Sequence, residues 1–179
     1  IGQQHPINGN LSVQVTLADL NLPELNLNWS NTALTGEGRL FRLTEPDSLS
    51  FDISTLRANS TIADLQLFVN EKDLNISLPK TIVVEARAKG SLTNVSGEAL
   101  VKIPEGSAQI NGNYSNLETI SFNGNLQVND LQSGKLLHND QLGTRACTIN
   151  AAGSGSCLHT FNAEIDSQVD QPSLHNYDF

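Results

Sequence analysis

The sequence predicts an all-β protein, an antiparallel meander, and three observations predict it. Apolar and polar residues alternate at a period of two in one segment after another. The intervening stretches are short and rich in Asn, Gly, Asp and Pro. The apolar letters are mostly Leu, Ile and Val, with only 5% aromatic residues and no methionine. A period of two sends successive side chains to opposite faces of a strand. Strands joined by short turns pair antiparallel with their neighbours. The clearest segment is I-S-F-N-G-N-L-Q-V-N, where Ile120, Phe122, Gly124, Leu126 and Val128 share one parity and the odd positions are polar.

In chain order, residues 1–10 contain Pro6 and the turn pair Asn8-Gly9 and read as a lead-in. Leu11 to Leu17 alternates, with Val13 and Val15 on the apolar parity. From Leu20 to Trp29 that parity switches from even to odd across Pro23-Glu24, which requires a bend or bulge there. Leu34 to Leu43 carries Gly36 and Gly38 on its apolar parity, Glu45 to Ser48 reads as a turn, and Leu49 to Ile53 as a strand. In the stretch from Ile62 to Val69, Leu65 and Leu67 alternate although Phe68 interrupts the polar face, and Leu74 to Leu78 reads as another strand. The best run places Ile82 and Val84 on one face against Glu85, Arg87 and Lys89, and Val101 with Ile103 repeats it up to Pro104. Ile110 continues the series before the Ile120 strand. A short helix is predicted from Ser133 to Asn139, followed by a hairpin that carries Ile149 and Ile165 on its apolar parity. The predicted organisation is a lead-in at 1–10, a single β segment at 11–171 and a tail at 172–179.

Charge and length limit the function. Ten basic against 19 acidic residues give a net charge of −9 over 179 residues. That balance argues against nucleic acid, which is bound through Lys and Arg, and against broad docking on an anionic membrane. No apolar run approaches the roughly 20 residues of a spanning helix, and no signal peptide is evident. The chain opens on Ile1 and ends in Asp-Phe, which suggests an excised segment of a longer protein. Cys147 and Cys157 flank A-A-G-S-G-S, a turn-forming stretch. The pair is a candidate disulfide in an oxidising compartment, and two free thiols are the equal alternative.

The central question is what covers the apolar face. Leaving about a thousand square ångströms of it in water would cost on the order of 25 kcal/mol. Two sheets can pack as a sandwich, the sheet can close as a barrel, or it can curl around an apolar molecule. A sandwich of this length usually has more aromatic filling. The aliphatic face suits a groove for acyl chains and is equally compatible with an aliphatic sandwich core.

Two passages resemble a known family. L-P-K-T-I-V-V-E-A-R-A-K-G-S-L-T-N-V-S-G-E-A-L-V, from Leu78 to Val101, and F-N-G-N-L-Q-V-N-D-L-Q-S-G-K-L-L-H-N-D-Q-L-G-T, from Phe122 to Thr144, are similar to recurring Gly- and Leu-based motifs of the TamB proteins, within the AsmA-like superfamily. The likeness is clearest from about 62 to 166. It implies a segment of a long periplasmic protein anchored in the inner membrane, whose meander curls into an elongated open groove, the β-taco, with an aliphatic inner face. It further implies phospholipid acyl chains as ligands, transfer between inner and outer membranes, assembly of outer-membrane proteins with a BamA/TamA-type partner, and neither catalytic residues nor cofactors. In that frame the groove lining comprises the apolar-parity residues named above, from Val13 to Ile165. The isolated segment could hide its groove by forming a homodimer.

Enzyme chemistry has little support in the residues. His5, His138, His159 and His175 are scattered, and Cys147, Cys157 and His159 match no usual zinc spacing. There is no nucleophile elbow, P-loop or dinucleotide fingerprint. Sequons at Asn10, Asn28, Asn59, Asn75, Asn94 and Asn113 arise readily in an Asn-rich chain. The expectation is a non-enzymatic protein with a hydrophobic groove. The alternatives are a scaffold that binds strands of outer-membrane clients, or a surface β-sandwich with no lipid role.

Overall fold

A computed structural model describes residues 6–67, 69, 76–139, 143–156, 160 and 162–170. Ten strands form one sheet in strict sequence order. They are β1 (Ile7–Val15), β2 (Leu20–Trp29), β3 (Thr32–Phe41), β4 (Ser50–Thr61), β5 (Thr81–Ser91), β6 (Asn94–Ile103), β7 (Gly106–Asn116), β8 (Ile120–Gln132), β9 (Thr144–Gly155) and β10 (Asn162–Val169). Every neighbouring pair is antiparallel, and among the described residues β1 pairs only with β2 and β10 only with β9. The sheet is therefore open, with two free edges. Among the described residues two short helices, α1 (Ile62–Leu65) and α2 (Ser133–Leu137), follow β4 and β8, and a 3-10 turn covers Pro46–Ser48.

Register carries one parity across the whole sheet. Directly opposed residues lie on the same face, so Leu126 groups with Ile110 on β7 and Ile149 on β9, and Ile110 in turn with Ala99 and Ala86. The expected parity switch in β2 is present: residues 22 and 25 face Gly38 and Gly36, which leaves one extra residue at Pro23-Glu24. A proline, with no N–H to offer the ladder, is tolerated at such a bulge. An unexpected second bulge lies on β4, where Glu37 faces Thr55 but Gly38 faces Ile53. It moves the apolar parity from Phe51 and Ile53 to Leu56 and Ala58, so β4 runs on to Thr61 rather than stopping at Ile53.

Four further readings of the sequence change. β1 starts at Ile7, inside the expected lead-in, because Gly9 lets the strand lie close to β2: a Cβ there would collide with the Asn26 carbonyl. The stretch after Thr61 is helical, so Leu65 lies in α1 and Leu67 in the following turn, neither on the sheet. Residues 76–79 form no strand, and the rest of the expected Leu74–Leu78 strand lies outside the described residues. Strand β9 continues through A-A-G-S-G to Gly155 instead of turning there.

Asp64 explains why the chain turns helical after β4. It is 2% exposed, and its Oδ2 accepts the Asn31 backbone N–H at 2.9 Å and the Thr32 hydroxyl at 2.7 Å. With the Thr32 proton committed, the Ser60 hydroxyl, 2.7 Å away, donates to Thr32 Oγ1. The carboxylate thereby ties α1 to the tight β2–β3 turn, in which Ser30 adopts φ 54°. These hydrogen bonds, led by the one from Thr32, hold its pKa below the ordinary value against the opposing effect of burial. A depressed carboxyl contributes its stabilisation in full above its unfolded pKa of about 3.9 and loses it as pH falls through the folded-state value. Melting curves from about pH 5 downward should therefore show a steeper fall in Tm for the wild type than for Asp64→Asn; equal slopes would remove Asp64 from the acid response.

The segment before β5 meets α2 at this same end of the sheet. The Ser77 N–H donates to the Leu136 carbonyl at 2.8 Å, and the Ser77 hydroxyl lies 2.8 Å from His138 Nε2. His138 ends α2 in a left-handed conformation with φ 51°, and the buried Ser133 donates to the Gly143 carbonyl at 2.9 Å. Hydrogen bonds thus tie both the Ser77 segment and the Gly143 segment to α2 at one end of the strands.

Candidate functional site

Among the described residues no hydrophobic side chain is buried. The apolar faces of ten strands join into one surface, and no second layer of the described residues lies over it. Of the predicted lining, Val13 and Val15 lie on β1, Ile82 and Val84 on β5, Val101 and Ile103 on β6, and Ile110 on β7. Ile120, Phe122, Leu126 and Val128 lie on β8, Ile149 on β9 and Ile165 on β10. Strand alternation and register put all of these on the same face. Leu65 and Leu67 do not join them.

Over β5–β9 this face contains a cavity of about 540 Å³, within the size range of small-molecule sites. Its floor is a line of small residues paired strand to strand: Ala88, Gly97, Gly112, Gly124 and Ala151. Ala86, Ala99, Ile110, Leu126 and Ile149 form one wall, and Val95 with Tyr114 the other. Ile110 is 51% exposed in this wall. Farther along β8, Phe122 closes over Gly153, where a Cβ would sit 2.7 Å from the ring. The aromatic ring therefore fills a place on β9 where the side chain is missing.

The opposite face has different chemistry. Arg87 Nε and Glu98 Oε1 are 2.7 Å apart, and Glu85 lies between Arg57 at 3.7 Å and Lys102 at 4.0 Å. On β7–β9 an asparagine ladder takes over, with Asn113 donating to Asn123 at 3.0 Å and Asn125 to Asn150 at 2.7 Å. A second concavity of about 470 Å³ lies here, against Asp52, Arg87, Lys89 and Glu98. It shares the small residues Ala88, Gly97 and Gly112 with the apolar cavity, so the sheet is thinnest at this point. Most of its charged groups are already matched across strands and open to water, which makes solvation a sufficient account.

Sequence reading missed Leu56 and Ala58 on the apolar face because the β4 bulge reverses their parity. The available signal was the same as at Pro23: an apolar run that changes from odd to even without a turn. Cys147 is a half-buried free cysteine opposite Val128 and Val169, at the end of β9 away from its turn to β10, not at the hairpin tip expected from the spacing. Cys157 lies outside the described residues, as does His159. Among the described residues no three His, Cys, Asp or Glu side chains gather as metal ligands, and no helix is long and apolar enough to cross a membrane.

The fold and face define an open, all-β meander with an uncovered aliphatic surface. No family model, curated protein or solved structure matches the chain.

Proposed function

We propose that this chain is a non-enzymatic lipid-groove segment in which phospholipid acyl chains lie against the apolar face. The supporting observation is that face itself: continuous over ten strands, aliphatic, and covered by no hydrophobic layer among the described residues. Acyl chains need no hydrogen bonds and gain about 0.8 kcal/mol for each methylene taken from water, so an aliphatic wall holds them without selecting a headgroup. The small-residue floor lets a chain approach the backbone, while Ile110, Leu126 and Ile149 give it a side wall. With the TamB-like passages, this reading makes the chain part of a periplasmic protein, anchored in the inner membrane by a segment elsewhere, that transfers phospholipid between inner and outer membranes. A BamA/TamA-type outer-membrane protein would be its partner.

A photo-crosslinking residue at Phe122 should capture phospholipid, and the same residue at Asn123, on the opposite face, should not. Lipid capture that is absent at Phe122, or equal at the two positions, sinks the reading.

The open edges favour a second reading. Strand β1 is exposed along all nine residues and carries no charge, so its backbone can accept another strand. A scaffold for client strands would crosslink polypeptide through β1 rather than lipid through β8.

A further inference from the structure

The two rims of the sheet, where the strands turn, differ in a way the groove does not explain. At one rim lie the turns that follow odd-numbered strands, and each of the first four carries an exposed leucine. Leu17 is 94% exposed between β1 and β2, Leu92 67% between β5 and β6, and Leu117 71% between β7 and β8, with Leu43 also exposed between β3 and β4. On the other rim the tight turns Ser30-Asn31 and Pro104-Glu105 have no leucine, and exposed leucines occur only in the two long connections, Leu67 between β4 and β5 and Leu137 between β8 and β9, among the described residues. Turn tips normally hold polar residues, and a single exposed leucine needs no explanation. Four in register are a different matter. Antiparallel strands lie about 4.8 Å apart, so alternate turns recur about every 10 Å and the four turns that carry these leucines span roughly 30 Å of the rim.

We infer that this rim is a membrane-contact edge, and that its leucines seat in the interfacial layer of a zwitterionic bilayer. Charge selects the kind of bilayer. The same turns hold the carboxylates Asp19, Glu45, Asp47 and Glu118 against the single guanidinium of Arg42. An anionic surface would repel them, whereas a zwitterionic one carries no net field. Area disfavours a second copy of the chain as the occupant. A leucine side chain offers roughly 60–120 Å² of apolar surface, so four in single file fall well short of the roughly 800 Å² per partner of a stable interface. A bilayer needs no matching shape, and spaced apolar tips can enter it one by one. The inference goes beyond the groove reading and stands even if the groove holds no lipid.

Flotation of the whole chain with phosphatidylcholine vesicles tests it, alongside a triple variant carrying Leu17→Ser, Leu92→Ser and Leu117→Ser. The wild type should float with the vesicles, less so when phosphatidylglycerol replaces phosphatidylcholine. The triple variant should lose about tenfold or more in vesicle partitioning while keeping its β-sheet circular dichroism. Asn125→Asp, on the polar face and away from both the rim and the groove, should float like the wild type, which shows that loss of flotation belongs to the rim leucines. Three results would overturn the inference: a wild type that does not float, a folded triple variant that floats equally well, or a leucine-dependent dimer with no vesicle binding.

Discussion

Leu126→Asp should release bound phospholipid while leaving the protein folded. Leu126 stands between Ile110 and Ile149 in the wall of the apolar cavity. A carboxylate there keeps its water and pushes three or four methylenes of a bound chain away from the wall. At about 0.8 kcal/mol each, that is a loss of roughly 3 kcal/mol, or about a hundredfold in affinity. Folding should survive because the site is open: the carboxylate can stay hydrated instead of entering a dry core. Asn125→Asp, one residue away on the polar face, should bind lipid like the wild type. Lipid retention measured by mass spectrometry on the purified variants decides it. Equal retention in Leu126→Asp and Asn125→Asp would show that acyl chains do not use this wall.

Gly124→Val separates a groove from a protein core by the sign of two effects. A Cβ at Gly124 would meet the Asn111 carbonyl at 3.3 Å and Gly112 Cα at 4.0 Å, the most room of the three floor glycines. Valine suits a strand better than glycine, by roughly 0.5–1 kcal/mol of backbone entropy, which offsets the small shift the contact demands. Stability should therefore stay within about 1 kcal/mol of the wild type. Lipid binding should fall, because the branched side chain stands on the floor and lifts the acyl chain from its neighbours. Were the apolar face packed against protein in solution, the same change would overpack it and cost about 1–3 kcal/mol. Thermal melts beside lipid capture distinguish the two outcomes.

Much of this architecture was legible in the sequence, and the misses have two causes. Alternation is a local signal that reports the face of a residue only while the ladder keeps step. At Pro23-Glu24 proline marked the slip, and the bulge was foreseen. At Ser54-Thr55 no residue marks it, so Leu56 and Ala58 were lost from the predicted lining. Leu65 and Leu67 failed for another reason. Their spacing suits a strand, but a carboxylate bound to Asn31 and Thr32, more than thirty residues earlier, fixes Asp64 in a helical turn. No window around Leu65 contains that partner.

Alternation and turn spacing, both encoded within a few residues, were enough to determine an antiparallel all-β chain and to sort most side chains into an aliphatic and a polar set. Whether the aliphatic set faces a second sheet or open space could not be read locally, because a leucine in a sandwich core and a leucine on a groove wall alternate identically. The tertiary structure decided it by bringing ten strands into one open sheet, with no hydrophobic residue buried among those described. It also brought together the floor Ala88, Gly97, Gly112, Gly124 and Ala151 from five strands, and set Leu17, Leu43, Leu92 and Leu117 along one rim. Both alignments are products of register, which each strand acquires only from its neighbours.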